Sequence, residues 1–270
     1  MSQASQRSVP FGVTIAIPNW NHEYVLPRSI RSALEAVRVL HDHGVSAEVL
    51  VVDDGSRDGS VTLLRQLEAL YFDQGLRVVL HTHNSGRPAA TRNLILAHAS
   101  YQYIVYLDAD NELLPANLYH FYRAAQQTAA AVVYGNIIRR DMNDQTINLI
   151  SNESVQDRLF QSNYIDALAL IDRTQLIDLG GYSEQPVIDA SEDWELYLHY
   201  AVNGRLVIFV PLVFGFYYIL PLSMTDEHTP AEVHGNRHRY LQRVYDQLGL
   251  RHDSLMNTRH QRYHPDLGFI

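Results

Sequence analysis

The chain has 270 residues, of which 46% are hydrophobic and 10% aromatic, so it holds enough apolar material to bury a core. Its formal net charge is −9 and its basic residues are scattered, which argues against nucleic acid as a partner. It has no cysteine, and its 21 basic residues are all arginine, which excludes disulfides, thiolate metal sites and a lysine nucleophile. Any metal must therefore be held by oxygen or imidazole ligands.

No segment of the sequence has the pattern of a secretory signal or a membrane span. The polar N-terminus, Met1–Pro10, lacks the apolar core of a signal peptide. The longest apolar stretch, Leu206–Leu222, contains Pro211, Gly215 and Pro221 and many β-branched and aromatic residues, which is typical of two strands. The sequence predicts a soluble, cytoplasmic protein.

Short β-branched runs alternate with segments of helical period through the first half of the chain. This alternation predicts an α/β fold with a mostly parallel central sheet and helices on both faces. Because ligands bind outside the carboxyl ends of the strands in such sheets, we expect a site at that edge. The predicted strands are Val13–Ile17, Glu48–Val52, Arg77–Leu80 and Tyr103–Leu107, and the predicted helices are Tyr24–His41, Ser60–Phe72 and Thr91–Ala99.

The second half of the sequence is less regular. No linker or repeat divides the chain, so we expect one domain over 1–230, followed by a C-terminal helix and tail over 231–270. The predicted helices are Pro115–Gln127, Glu192–Val202 and Ala231–Leu248; the predicted strands are Ala131–Tyr134, Ile137–Arg139, Asp166–Ile171, Leu206–Val210 and Phe214–Ile219; Asp141–Asp144 is a predicted turn.

Two pairs of acids follow predicted strands. Asp108 and Asp110 stand one residue apart after a buried-type strand, and Mg²⁺ or Mn²⁺ is typically held by one or two carboxylates together with substrate phosphates. A solvated turn with Asp caps is the alternative for such a pair. Asp53 and Asp54 end the second predicted strand, where an acid can accept hydrogen bonds from a ribose or base, whereas Asp58 is assigned to helix capping.

Six segments, taken in order, resemble the inverting glycosyltransferases of family two. The resemblance covers about Val13 to Tyr218 and is much more specific than any single motif. It implies the A-type nucleotide-diphospho-sugar transferase fold, a Mn²⁺ or Mg²⁺ ion, and single-displacement transfer of a hexosyl or related group. The segments are IAIPNWN (15–21), VVDDGSRDGS (51–60), HNSGRPAATRN (83–93), YLDADNELLP (106–115), GGY (180–182) and SEDWELYL (191–198).

The resemblance assigns the nucleoside pocket to the first part of the domain, about 10–112. Pro18 and Trp20 would border the nucleoside, with Trp20 offering a stacking face to the base. Asp54, with Asp53 as a second candidate, would hydrogen-bond the base or ribose. The donor is then a nucleotide-diphosphate sugar, with a UDP-sugar favoured.

The resemblance also assigns the diphosphate and metal site. Arg87 and Arg92 would reach the donor phosphates or hold the acids, and a structural ion pair is the alternative for either. Asp108 would face the ribose and the metal, while Asp110 would ligate the metal directly.

The acceptor side falls in the part at about 113–230. Asp193 would be the general base that takes the proton from the attacking hydroxyl, with Glu192 beside it. Without the resemblance, the two acids are interpreted as a first turn that complements the helix dipole. Trp194 is assigned either to packing or to a sugar platform, with even weight.

The sequence departs from the family pattern in two places. The family's Tyr-Arg and nearby histidine are replaced by the run Tyr218–Met224, which lacks the arginine and the histidine that would provide a phosphate contact or a third metal ligand. His228, His234 and His238 lie just beyond and are the candidate substitutes. Asn111 replaces a further acid, which matters less because Asp108 and Asp110 are present.

Two rival functions stay open beside the glycosyltransferase. A sugar nucleotidyltransferase would usually have a glycine-rich N-terminal loop and a lysine, and both are absent. A non-catalytic nucleotide-sugar-binding protein would keep the fold without turnover. The acceptor is expected to be a carbohydrate or a lipid-linked molecule in polysaccharide, glycolipid or glycoprotein glycan synthesis. Peripheral association with the inner face of a membrane, and a homo-oligomer, also stay open.

Overall fold

The computed structural model describes residues 9–151, 159–160, 163–184, 192–220, 242–249, 263–264 and 268–269. Its first half consists of alternating strands and helices: β1 (Val13–Asn19), α1 (Leu26–Asp42), β2 (Ala47–Asp54), α2 (Ser60–Tyr71), β3 (Leu76–His81), α3 (Pro88–His98) and β4 (Tyr103–Tyr106). These four strands are parallel and lie in the order β3-β2-β1-β4. Their carboxyl ends therefore meet at one edge, as the sequence predicts.

The second half extends the sheet with strands of both directions. Its elements are β5 (Glu112–Leu113), α4 (Pro115–Thr128), β6 (Val132–Arg140), β7 (Thr146–Ile150), β8 (Leu170–Asp172), α5 (Arg173–Asp178), α6 (Glu192–Val202), β9 (Val207–Tyr218), a helix α7 at 242–248 and a hairpin of β10 (Tyr263–His264) and β11 (Gly268–Phe269). β8 pairs antiparallel with β4, β6 lies between β8 and β9, and β6 runs parallel to β9. The short strand β5 pairs antiparallel with β9, and β7 pairs antiparallel with β6.

Helices cover both faces of the sheet. Ile15 and Ile17 of β1 are fully buried on the face covered by α1 and α4, where Ile30 packs against them. Ala16 of the same strand points to the opposite face, which Ile95 of α3 and residues of α6 cover. This alternation places β1 between two apolar layers. No helix in the described part of the chain is long and apolar enough to cross a membrane.

Two pairs of predicted strands are single strands in the structure. The first pair forms β6 and the second forms β9, and the sequence-based break coincides with register shifts beside Gly135. A side chain at Gly135 would meet the ring of Phe121, 2.5 Å away, so this glycine permits close packing on a continuous strand. Gly215 similarly lies within β9, against the backbone of Glu112.

The predicted strand Asp166–Ile171 is also shorter in the structure. Only Leu170–Asp172 forms β8, because the carboxylate of Asp166 accepts a hydrogen bond from the backbone nitrogen of Leu168 at 2.9 Å and bends the chain there. The strands β5 and β7 and the helix α5 were not predicted. Of the predicted helix Ala231–Leu248, residues 242–248 are helical and 231–241 lie outside the described residues.

Candidate active site

The loop that follows β4 is tied to helix α1 through its backbone. Ser29 Oγ lies 2.6 Å from the carbonyl oxygens of both Ala109 and Asn111, and Arg28 Nη2 donates to the carbonyl oxygen of Asp110 at 2.8 Å. These contacts fix the loop without using either of its carboxylates. Asp108 and Asp110 are thereby held at the carboxyl edge of the sheet.

The two carboxylates of this loop repel each other in a half-buried place. Burial, and then the charge of Asp108, raise the pKa of Asp110 to about 7, although Arg28 opposes the shift. A divalent cation would relieve that repulsion, so these two carboxylates are suitable ligands for Mg²⁺ or Mn²⁺. The described residues contain no group of three metal-ligating side chains, so the remaining ligands of such an ion would be substrate oxygens, water or residues outside the described ranges.

Arg92 of α3 joins the two ends of the site. It is buried, and it donates to Glu192 Oε1 through Nη1 and to Asp108 Oδ1 through Nη2, the latter at 3.2 Å. Burial opposes its charge, but Glu192 and then Asp108 raise the pKa of this guanidinium further. The interpretation of Arg92 as a holder of the acids is therefore the one that the geometry supports.

Asp193 lies beside this ion pair at the start of α6. Asn163 Nδ2 is 3.3 Å from both of its carboxylate oxygens, and the backbone nitrogen of Trp194 donates to Oδ1 at 2.7 Å. Burial, and then Glu192, raise the pKa of Asp193 to about 7, while Arg92 lowers it. A carboxylate with a pKa near neutral has the property that a general base needs.

The structure adds Asp166 to the residues found from the sequence. Burial, together with the charge of Asp108, raises the pKa of this carboxyl to about 6, although the hydrogen bond from Leu168 opposes the shift. Its own charge in turn raises the pKa of Asp193, so the three acids share one region. The sequence contained a signal for it, since Asp166 interrupts an otherwise apolar run, but that run was interpreted only as a strand.

The two acids at the end of β2 have different surroundings. Both oxygens of Asp53 accept hydrogen bonds inside the protein: Oδ1 accepts from Asn19 Nδ2 at 2.7 Å and from Ser56 Oγ at 2.6 Å, and Oδ2 accepts from the backbone nitrogen of Ser56 at 3.0 Å. Asp54 Oδ2 accepts from Ser85 Oγ at 2.6 Å, and its buried Oδ1 lies 3.5 Å from Nδ1 of His81. Both acids therefore have partners inside the protein, and their assignment to the base or ribose stays a prediction.

The other residues assigned to the nucleoside stand at the same edge. Pro18 and Asn19 end β1, and Trp20 follows with 46% of its surface exposed. A tryptophan exposed next to a strand end offers its ring face to a ligand, so its assignment to the nucleoside stays a prediction.

Several roles predicted from the sequence are revised by the structure or fall outside the residues that it describes. Trp194 is buried and donates through Nε1 to the carbonyl oxygen of Leu159 at 2.8 Å, so it is a packing residue and the sugar-platform alternative is wrong. Arg87 Nη1 donates to the carbonyl oxygen of Glu184 and contacts none of the site's acids in the described ranges. His228, His234 and His238 lie outside the described residues.

The departures from the family pattern have structural counterparts. The guanidinium of Arg28 stacks 3.4 Å from the ring centre of Tyr218, so an arginine reaches this tyrosine from α1. Asn111 is buried, and its Oδ1 accepts from the backbone nitrogen of Tyr218 at 3.2 Å. Asn111 thus ties the loop after β4 to β9.

Comparison with protein families identifies the chain. The family model described as "Glycosyl transferase family 2" matches residues 14–183. The chain belongs to glycosyltransferase family 2. This match includes the Asp108–Asp110 loop and Asp166, and it stops before Glu192 and Asp193. The role of Asp193 therefore stays a prediction that rests on the sequence resemblance and on the surroundings of its carboxylate.

Two curated relatives of this glycosyltransferase come from bacteria. It is similar to a poly(ribitol-phosphate) beta-glucosyltransferase of Bacillus spizizenii, with 23% identity over 222 residues, covering 74% of the chain and 34% of the relative. It is also similar to the succinoglycan biosynthesis protein ExoU of Rhizobium meliloti, with 29% identity over 217 residues, covering 73% of the chain and 59% of the relative. The chain thus spans between one third and three fifths of these relatives.

Solved structures of glycosyltransferases share the fold. The S. aureus TarS 1–349 complex with UDP-GlcNAc superposes with a TM-score of 0.67 at 16% identity, covering 90% of this chain and 69% of that one. The mannosyltransferase PcManGT of Pyrobaculum calidifontis, in complex with GDP-Man and Mn²⁺, gives a TM-score of 0.65 at 18% identity, covering 89% of this chain and 64% of that one. The A-type nucleotide-diphospho-sugar transferase fold is therefore confirmed.

Proposed function

We propose that this glycosyltransferase moves a sugar from a nucleotide-diphosphate sugar to an acceptor hydroxyl with inversion, using a divalent cation. The observation that carries the proposal is the ion-pair bridge of Arg92, which joins Asp108 to Glu192 and so brings the metal-site loop to the start of α6, beside Asp193. The donor side and the acceptor side of a displacement reaction are the two ends of this bridge.

Asp108 and Asp110 are the residues that would hold the cation. Their mutual repulsion, seen in the raised pKa of Asp110, supports this assignment. When bound, Mn²⁺ or Mg²⁺ would supply positive charge that offsets the negative charge developing on the leaving diphosphate. Arg92 does not compete for that role, because both of its terminal nitrogens already donate to protein carboxylates.

Asp193 is the proposed general base. Asn163 holds its carboxylate, and Arg92 compensates the charge of the neighbouring Glu192. When the acceptor hydroxyl attacks the sugar carbon, its proton moves to a carboxylate oxygen of Asp193. The attacking oxygen approaches opposite the leaving diphosphate, which inverts the configuration at that carbon. The proposal assigns the donor to residues at about 10–112 and the acceptor to 113–230.

The donor is proposed to be a UDP-sugar, with a GDP-sugar as the next choice. The two structures described above contain UDP-GlcNAc and GDP-Man, and their fold is that of this chain. The curated relatives are named for poly(ribitol-phosphate) glucosylation and succinoglycan biosynthesis. We therefore propose a carbohydrate or lipid-linked acceptor in the synthesis of a surface polysaccharide.

The decisive experiment measures sugar release or transfer from a panel of UDP- and GDP-sugars, in Mn²⁺, in Mg²⁺ and in EDTA. We expect slow hydrolysis of one donor even without an acceptor, because water can take the place of the acceptor hydroxyl. Activity that is equal in EDTA would contradict the metal role. Metal-dependent donor binding without transfer or hydrolysis over a broad acceptor panel would favour a non-catalytic binding protein.

A further inference from the structure

The loop that precedes β8 contains a carboxylate with no role in the mechanism above. Asp166 is clamped through its backbone, since its nitrogen donates to Ser151 Oγ at 2.7 Å and its carbonyl oxygen accepts from the Tyr197 hydroxyl at 2.8 Å. One partner comes from the end of β7 and the other from α6. Two separate elements thus fix the position of a loop residue, as is expected where a side chain must be held in one direction.

One carboxylate oxygen of Asp166 accepts a hydrogen bond within the protein, and the other can accept one from a ligand. Oδ1 accepts from the backbone nitrogen of Leu168 at 2.9 Å. Oδ2 accepts no hydrogen bond from the described residues, and it is not among their buried oxygens that lack a partner. Asp166 is partly exposed, so this oxygen is open to a ligand.

The sheet topology places this oxygen beside the metal-site loop. β4 and β8 are antiparallel neighbours with Val105 opposite Leu170, so the loop after β4 and the loop before β8 lie at the same edge. Asp108 follows β4 and Asp166 precedes β8. The charge of Asp108 reaches Asp166, and the charge of Asp166 reaches Asp193. Asp166 therefore lies close both to Asp108, on the proposed donor side, and to Asp193, on the proposed acceptor side.

Polar groups of β6 and β9 face the same region. Arg139 and Tyr217 are paired across these strands, with the guanidinium 5.8 Å from the ring centre. Arg139 lowers the pKa of Asp166, whereas burial and then the charges of Asp108, Asp166 and Asp110 raise the pKa of Tyr217. A carboxylate, a guanidinium and a phenol in one place provide the donors and acceptors that sugar hydroxyls require.

In a displacement reaction the transferred sugar lies between the leaving diphosphate and the attacking hydroxyl. We infer that Oδ2 of Asp166 accepts a hydrogen bond from a hydroxyl of this sugar and thereby helps to determine which nucleotide sugar binds. The inference rests on the proposed function, because that function defines the donor and acceptor sides. Asp166 is a specificity residue in this scheme and takes no part in proton transfer.

The test compares Asp166→Asn with the wild type by calorimetric titration in Mn²⁺. The ligands are UDP-GlcNAc, UDP-glucose, UDP-galactose and GDP-mannose, with UDP and GDP as sugar-free references. Asparagine keeps an oxygen for Leu168 but replaces the free acceptor by an amide, and a hydrogen bond to a charged group is worth enough that its loss raises a Kd by about 10- to 100-fold. We expect that increase for the nucleotide sugar preferred by the wild type, and less than about a twofold change for the matching nucleoside diphosphate.

Asp178→Asn is the matched control, since Asp178 is an acid of α5 whose side chain is 63% exposed. It should change neither affinity. If Asp166→Asn melts well below the wild type, Asp166→Ser replaces it, because serine can still accept from Leu168 but is too short to reach the sugar.

The outcomes separate the two proposals. An unchanged affinity for every nucleotide sugar overturns the inference, and so does an equal loss of nucleoside diphosphate and nucleotide sugar, which would mean that Asp166 shapes the diphosphate site. Failure of the wild type to bind any nucleoside diphosphate in Mn²⁺ contradicts the proposed function itself.

Discussion

At the scale of single residues, Asp193 has a partly buried carboxylate whose pKa is raised to about 7 by burial and then by the charge of Glu192, while Arg92 lowers it. General-base assistance is commonly worth about 10²- to 10⁴-fold in rate. Asp193→Asn should therefore lower sugar transfer or donor hydrolysis by about that factor while changing the donor Kd less than about twofold. Steady-state rates and calorimetry measure the two quantities. A joint loss of affinity and rate would mean that Asp193 shapes the donor site instead.

The pKa of Asp193 also predicts how transfer depends on pH. Because burial raises that pKa to about 7, the base is increasingly protonated below neutral pH and cannot accept the hydroxyl proton. The rate at saturating donor should fall about tenfold per pH unit below pH 6 and level off above pH 8. A flat profile between these values would argue against Asp193 as the base, provided that circular dichroism shows an unchanged fold.

The carboxylate of Asp110 should favour metal-dependent nucleotide binding but destabilise the metal-free folded protein. Its folded pKa is raised, so its carboxylate disfavours the folded state as pH rises from about 4 to about 7. Asp110→Asn should therefore increase the free energy of unfolding of the metal-free protein at pH 8 by about 2 kcal/mol, which raises its melting temperature by a few degrees. At pH 4 the same substitution should not raise the melting temperature. The same change should weaken metal-dependent nucleotide binding.

Asp58→Asn is the control for Asp110. Asp58 accepts hydrogen bonds from the backbone nitrogens of Glu23 and Ser60, each at 3.0 Å. Although burial opposes it, these contacts lower the pKa of Asp58, so its charge stabilises the fold above its unfolded pKa. Asp58→Asn should lower the melting temperature slightly and leave nucleotide binding intact. Equal binding by the two variants would show that Asp110 is wrongly assigned.

At the scale of secondary-structure elements, Arg92 fastens α3 to α6 and to the loop after β4. Arg92→Ala would leave Glu192 buried without its cation, and breaking a buried pair typically costs about 3–5 kcal/mol. We expect a large fall in the denaturation midpoint. Arg92→Lys should recover part of that stability but not the rate, since a single ammonium cannot span both carboxylates in the fork geometry of a guanidinium.

A denaturation series together with transfer rates checks the Arg92 prediction. A matched comparison is Arg38→Ala, because Arg38 pairs with Glu35 and Asp42 on the exposed face of α1 and should contribute little to stability. If Arg92→Ala and Arg38→Ala have the same denaturation midpoint, the ion pair between α3 and α6 does not stabilise the fold.

Elements whose burial is visible in their local sequence pattern could be predicted, whereas those that depend on distant residues could not. β1, β2 and β4 have continuous apolar runs because both of their faces are buried, and their local pattern sufficed. Gly135 looked like a strand end because its reason, the ring of Phe121 lying against it, comes from a distant helix. Asp166 was missed for a similar reason, since the partners that give it meaning, Asp108 and Tyr197, are brought to it by the fold.

At the scale of the whole molecule, the site lies where the two halves of the sheet meet. The parallel half ends at β4, and the mixed half begins with the antiparallel β8. The residues proposed to bind the donor come from loops of the first half, while Asp166 and Asp193 come from the second. A ligand that spans donor and acceptor sides would therefore contact both halves, and its binding should stabilise the fold as a unit.

This coupling leads to a prediction for thermal stability. If Asp108 and Asp110 border the diphosphate as proposed, their charges repel it unless a cation lies between them, so nucleotide and metal should stabilise the protein only together. At about 100 times its Kd a ligand adds about 2.7 kcal/mol, which corresponds to about 5–10 °C for a chain of this size. We expect that shift with UDP or GDP in Mn²⁺, little with either component alone, and none in EDTA. Asp110→Asn should abolish the shift, whereas Asp58→Asn should retain it. An equal shift in EDTA and in Mn²⁺ would contradict the metal site, and a shift retained by Asp110→Asn would place the cation on other residues.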